Sequence, residues 1–192
     1  MYSGEKRVTI GSSQFNRKRC SAMLDQKVAK LINEQINKEL YSAYLYLDFS
    51  IYYEDLGLDG FANWYNIQAQ EERDHAMLML QYLQNNGVKP VLDTVAKPDK
   101  ELKDKLEVLK LALAHEQYVT ALINAIYEAA HSVKDYRTMQ FLDWFVKEQG
   151  EEEKTAEDLV KKMELFGGDA KGLYMLNSEM AARTYSAPSL TL

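Results

Sequence analysis

Glu72 and His75 stand three residues apart in the stretch QAQEERDHAMLML, residues 68–80. On a helix that spacing lets both side chains reach one point off the axis. Phe61, Trp64, Gln68, Met79 and Tyr82 recur with them at steps of three or four, so a carboxylate and an imidazole sit between apolar ends of one face. Burying a carboxylate there is costly unless a partner neutralises it. Three other stretches repeat the anomaly. Glu39 shares its face with Val28, Leu31, Ile32, Gln35, Ile36, Ala43, Tyr46 and Leu47. Glu116 interrupts a stripe of Leu102, Leu106, Leu109, Leu113, Thr120, Ile123 and Tyr127. Gln149 and Glu152, again three apart, lie with Leu142, Phe145, Ala156, Leu159 and Met163.

Taken singly, each acid has an ordinary explanation: a solvated glutamate, or a long side chain that snorkels to water. Taken together they resist it. Four carboxylates near one level of a core would destabilise it strongly unless cations or shared protons compensate. Carboxylates with one imidazole suit Fe(II) or Mn(II), and a lone cysteine, Cys20, excludes a thiolate site. A carboxylate can bridge two ions, which makes Glu72 the natural shared ligand. The two halves are unequal, because one supplies Glu-x-x-His and the other Gln-x-x-Glu. The second ion is therefore expected to be held more loosely, as suits a site that passes metal onward.

The elements that must position these groups are long amphipathic helices. The periodicity predicts helices over 24–55, 61–86, 99–132 and 136–166, and a shorter one over 170–183 with Leu173, Leu176 and Met180 on one side. DLGLDG (55–60) reads as a turn, and Asn86-Gly87 and Gly167-Gly168 read as helix ends. Residues 87–98 contain two prolines and cannot be helical throughout. Twelve extended residues span roughly 40 Å, about the length of a 26-residue helix. The second and third helices are therefore expected to run parallel, in an all-α four-helix bundle with one long crossover and a short fifth helix. The bundle domain is expected over 23–183, with a frayed tail over 184–192.

The 192 residues suit one domain with a sizeable core, and 3 prolines with 9 glycines leave room for long helices. A single cysteine excludes an intrachain disulfide framework and fits a reducing compartment, so the expected location is the cytoplasm. No apolar run approaches the roughly 18 residues of a membrane span. Residues 1–22 carry five basic residues and one acid; the remainder holds 28 acids and 18 bases. That acidic body attracts cations and repels nucleic acid. The first 22 residues lack an apolar period or a secretory h-region and read as a flexible extension, or as sequence upstream of Met23, in preference to an organellar transit peptide.

NEQINKELYSAYLY (33–46), QAQEERDH (68–75), AHEQYVT (114–120) and FLDWFVKEQGEEEK (141–154) are similar to segments of the bacterial and archaeal non-haem ferritins. The similarity extends over about 23–183. It implies a hollow 24-subunit cage whose chains oxidise Fe(II) with O₂ at an intra-subunit di-iron centre and store the ferric product. It also implies roles. Glu39, Glu72 and His75 correspond to ligands of one iron; Glu72 bridges to a second, held also by Glu116 and Glu152. Gln149 is a polar neighbour, and Tyr46 resembles the tyrosine that can give an electron during O₂ reduction. Glu71, Glu148 and Glu151, with Glu152, resemble a third iron site between the centre and the cavity; the alternative is a solvated acidic face. Trp144 corresponds to a family tryptophan near the centre, or is plain core.

Two departures stand out. Gly150 sits mid-helix where many relatives carry histidine, at a cost of about 1 kcal/mol against alanine. The N-terminal extension has no counterpart in the motif. Bacterioferritins carry a haem-binding methionine after the bridging glutamate and a histidine in the last motif. This chain has Arg73 and Glu152 there, so no haem is expected. Rubrerythrins need a cysteine-rich iron domain, and Dps-type proteins place their site between subunits. A purely structural helical module would be indifferent to Fe(II).

Overall fold

The computed structural model describes residues 24–192, so the N-terminal extension lies outside the described residues. The described residues form five helices: α1 (Gln26–Asp55), α2 (Asp59–Asn85), α3 (Lys105–Ser132), α4 (Tyr136–Phe166) and α5 (Ala170–Ala181). No described helix is long and apolar enough to cross a membrane.

Aspartate opens most of them. Asp25, Asp104, Asp135 and Asp169 each accept hydrogen bonds from backbone amides of the first turn, which would otherwise lack partners. Asp104 explains the largest difference from expectation. The third helix starts at Lys105 and not at 99, because Asp104 is its cap and 99–104 stay outside the helix after Pro98. Leu102, expected on the helix stripe, packs from this loop against the core. The α2 start has no side chain of its own to cap it; Asn177 of α5 does so instead. Asn177 Oδ1 accepts from Gly60 N at 2.9 Å and Phe61 N at 3.2 Å. Gly60 is required there, since a Cβ would overlap the Asn177 carbonyl. Gly57 and Gly87 take positive φ, 71° and 74°, where the chain leaves α1 and α2.

Directions follow from contacts. Ser50 meets Ala62 while Glu39 meets Glu72, so α1 and α2 are antiparallel. Tyr53 bonds the Lys105 carbonyl and Ser42 bonds His115, so α1 and α3 are antiparallel too. Hence α2 and α3 run parallel, and the crossover does return the chain to the starting end. It lies along α1, where Asn33 pairs with both backbone groups of Val91 (2.9 and 2.8 Å) and Asn37 holds Thr94 O.

The apolar interior is split in two. One cluster gathers the α1 start, the α2 and α3 ends and the α4 start around Ile32, Met79, Ile123 and Phe145. The other gathers the opposite ends around Phe49, Tyr53, Phe61, Leu109 and Met163, closed by Leu176 and Met180 of α5. Between them lies a layer of buried polar side chains, among them Gln35, Glu39, Ser42, Gln68, Glu72, His75, Glu116 and Gln149. The stripes read from sequence differ in detail. On α1, Leu47 is 40 % exposed, whereas Ser42, Leu45, Phe49 and Tyr53 are buried. Gly150 leaves α4 unbroken, and the space beside it is open. The tail is not frayed: Tyr185 bonds Asp74, Trp144 bonds Ser189, and Leu190 packs on the first cluster.

Candidate metal centre

Four helices deliver one carboxylate each to the middle layer because each breaks its apolar stripe at the same height. Two triads result, in each of which one ligand atom per residue lies within 4.8 Å of the others: Glu39, Glu72 and His75, and Glu72, Glu116 and Glu152. Glu72 belongs to both. Glu39, Glu72, His75 and Glu116 are buried; Glu152 is half-buried with its carboxylate turned inward.

Amides hold the carboxylates in place. Gln35 Nε2 donates to Glu39 Oε1 at 3.0 Å, and Gln68 Nε2 to Glu72 Oε1 at 2.9 Å, each across one helical turn. Gln68 also donates to Glu152 Oε1 at 2.8 Å, tying α2 to α4. Gln149 Nε2 donates to Glu116 Oε2 at 3.2 Å. Tyr46 Oη donates to Glu116 Oε1. Edge-on Trp144 and Phe145, with ring centroids 5.5 and 5.8 Å away, fix the His75 ring. By periodicity alone, Gln35 and Gln68 are only members of their helix stripes. The i, i+4 Gln–Glu spacing was the available signal of their role as donors.

After these bonds, polar atoms remain that nothing satisfies. Among the described residues, the buried side-chain atoms without a partner are Asn37 Oδ1, Glu39 Oε2, His75 Nδ1 and Glu152 Oε2. Three of the four point into this layer. His75 Nδ1 lies 3.5 Å from Glu72 Oε2, beyond a good hydrogen bond.

The crowding shows in protonation. Burial, then the neighbouring Glu72 charge, push the Glu39 carboxyl up to about 8. Burial and Glu72 likewise raise Glu116 to about 8 and Glu152 well above the carboxylate range. Burial also works against ionising Glu72, but the nearby His75 and the hydrogen bond from Gln68 outweigh it and hold Glu72 low. Burial opposes charge on His75 as well; Glu72 overcomes it and lifts the ring to about 9. Such crowding favours the protonated form of Glu39, Glu116 and Glu152.

Glu71, Glu148, Glu151 and Glu152 line one cavity of about 240 Å³ beside this layer, with Tyr46, Glu116 and Arg183. They do not converge on one point. Glu148 comes together with His75 and Glu152. Glu151 turns out to Lys147 at 3.2 Å, and Glu71 is taken by Arg183. Arg183 carried no sequence signal, because it lies 112 residues from Glu71.

The family model described as Ferritin-like domain matches residues 29–166. A bacterial non-heme ferritin from Staphylococcus epidermidis is 38% identical over 164 residues, covering 85% of this chain and 99% of that protein. Another from Campylobacter jejuni is 40% identical over 153 residues, covering 80% and 92%. An open-pore ferritin from the archaeon Archaeoglobus fulgidus superposes with a TM-score of 0.82 at 40% identity, over 84% of this chain and 99% of that one.

Proposed function

This chain belongs to the ferritin family, and from that premise we propose that it oxidises Fe(II) with O₂ inside its own bundle and stores the Fe(III). The observation that carries the assignment is the trio of unsatisfied buried atoms, Glu39 Oε2, His75 Nδ1 and Glu152 Oε2. An unpaired buried acceptor or imidazole nitrogen is expensive, and one cation in each triad would between them satisfy all three. Iron here is substrate and cargo. Glu39, Glu72 and His75 take one Fe(II), and Glu72, Glu116 and Glu152 take another. Glu152 and Glu116 offer only oxygens, so the second ion leaves more readily.

Each Fe(II) gives up one electron. Reduction of O₂ to water takes four electrons and four protons, so the first pair supplies half. A third Fe(II) beside Glu148 and the Tyr46 phenol supply the rest. Tyr46 is placed for this, because its proton can pass along the hydrogen bond to Glu116 as the electron leaves. Glu39 and Glu116 hold protons near neutral pH and release them as iron arrives. Fe(III) then moves through the cavity lined by Glu148 and Glu71.

The working unit is residues 23–183, with 1–22 an appended extension. The chain functions as a multimer, and a 24-subunit cage is its full assembly. Tyr44 (50 % exposed), Leu47 and Ile51 (62 %) leave an apolar face on α1 that suits burial against another copy. The proposed location is the cytoplasm, in keeping with one cysteine in 192 residues.

Stopped-flow mixing with Fe(II) in air tests the reading. A fast ferric phase should saturate at two or three ions per chain and vanish in Glu39→Ala and His75→Ala. Full-speed oxidation in both variants would sink the assignment.

A further inference from the structure

Arg183 follows the last turn of α5, yet its guanidinium reaches the metal layer. It stacks over the Trp64 ring, 4.2 Å from the centroid, and donates to the Trp64 carbonyl at 3.3 Å. One Nη2 donates both to Gln68 Oε1 at 2.9 Å and to Glu71 Oε2 at 2.5 Å. The side chains of Arg183 and Glu71 are only 17% and 18% exposed. We propose that Arg183 is a positioning residue that stands beside the third metal position as a resident cation and holds the Glu71 carboxylate until iron competes for it. The proposal rests on the metal-centre reading above and deepens it.

Two consequences follow from the geometry. Glu71 is the cavity acid held by a part-buried guanidinium, whereas Glu151 pairs outward with Lys147, so a metal ion must compete with Arg183 for Glu71. Gln68 is also locked. A guanidinium can only donate, so Oε1 faces Arg183 and the amide nitrogen must face Glu72 and Glu152. One cation thus keeps the third position weak while orienting the amide that bridges α2 and α4 beside the second ion. Weakness at this position is what a transfer site needs: iron can pass through but does not lodge there.

The chain beyond Arg183 reinforces the latch. Asn63 Nδ2 donates to the Arg183 carbonyl at 3.1 Å, Tyr185 Oη to Asp74 at 2.6 Å, and Trp144 Nε1 to Ser189 Oγ at 3.0 Å. Residues 186–189 close a second cavity over Glu71, His75, Trp144 and Glu148. The strap therefore crosses the α2–α4 side of the layer, on the path from the centre outward.

Calorimetric titration of the metal-free protein with redox-inert Zn(II) tests this without turnover. Wild type should show two tighter ions and a weak third. Arg183→Gln should tighten the third by about tenfold or more, the effect of removing one nearby positive charge in partly screened surroundings. Arg183→Lys, which keeps the charge, should leave the third near wild type. In a Glu71→Gln background the gain from Arg183→Gln should disappear. A third ion unchanged or weaker in Arg183→Gln, with the first two intact and melting unaltered, would overturn the latch and leave the metal centre standing. Absence of two tighter ions from wild type and all variants would overturn both.

Discussion

At the scale of single residues, the centre is a set of charges that the fold cannot neutralise by itself. Glu39 and Glu116 sit at about 8 against an ordinary 4.5, and His75 at about 9 against 6.5. The folded metal-free chain therefore binds more protons than the unfolded chain between about pH 4.5 and 9. Its stability falls as pH rises through that window. Glu72, held low, works the other way and loses its contribution only in acid. The thermal midpoint of the metal-free protein should drop between pH 6 and 8.5. Glu39→Gln, which stays neutral, should flatten that slope, and Zn(II) should reverse it. A metal-free midpoint that rises over this range would contradict the protonation scheme. These acids were legible in the sequence because each breaks an apolar stripe at a fixed helical step. Their amide donors were less so, since a glutamine on a buried face reads as an ordinary polar neighbour.

At the scale of elements, local signals set the helices. Asp25, Asp104, Asp135 and Asp169 cap from within their own turns, and a sequence shows such caps directly. The third helix starts six residues later than the periodicity predicts, because its cap is Asp104, whose side chain accepts the α3 amides. The α2 start differs in kind. Its donors are answered by Asn177, more than a hundred residues away. Asn177→Ala should cost about 1 kcal/mol, the usual loss of a side-chain cap, and should be read in chemical denaturation. It should also loosen the Arg183 latch, since α5 is docked through this contact. No loss of stability would mean that water caps α2 equally well. The tail was expected to fray because its last nine residues show no period. Tyr185, Ser189 and Leu190 tether it through isolated contacts that leave no pattern in a sequence.

At the scale of the whole molecule, two apolar clusters clamp a polar layer between them. Packing on both sides holds the carboxylates at one level. The outer face of α1 is a separate device. Leu40, Ala43, Tyr44 and Leu47 line a groove with Ala69, Arg73 and Val95, away from the metal layer. Leu47→Arg should break the assembly into smaller species, seen by light scattering on a sizing column, while leaving two-ion Zn(II) binding within about twofold. An unchanged mass would move the subunit interface elsewhere. What the sequence determined by itself was the helices, the parallel return of the crossover and the identity of the acids. Those follow from periodicity, from capping and from the reach of an extended chain, all local or nearly so. Only the tertiary structure decided that Asn177 caps α2, that Arg183 answers Glu71, and that the tail closes over the α2–α4 groove. Each joins residues more than forty positions apart, and such a pairing is set by where helices dock, not by any spacing along the chain.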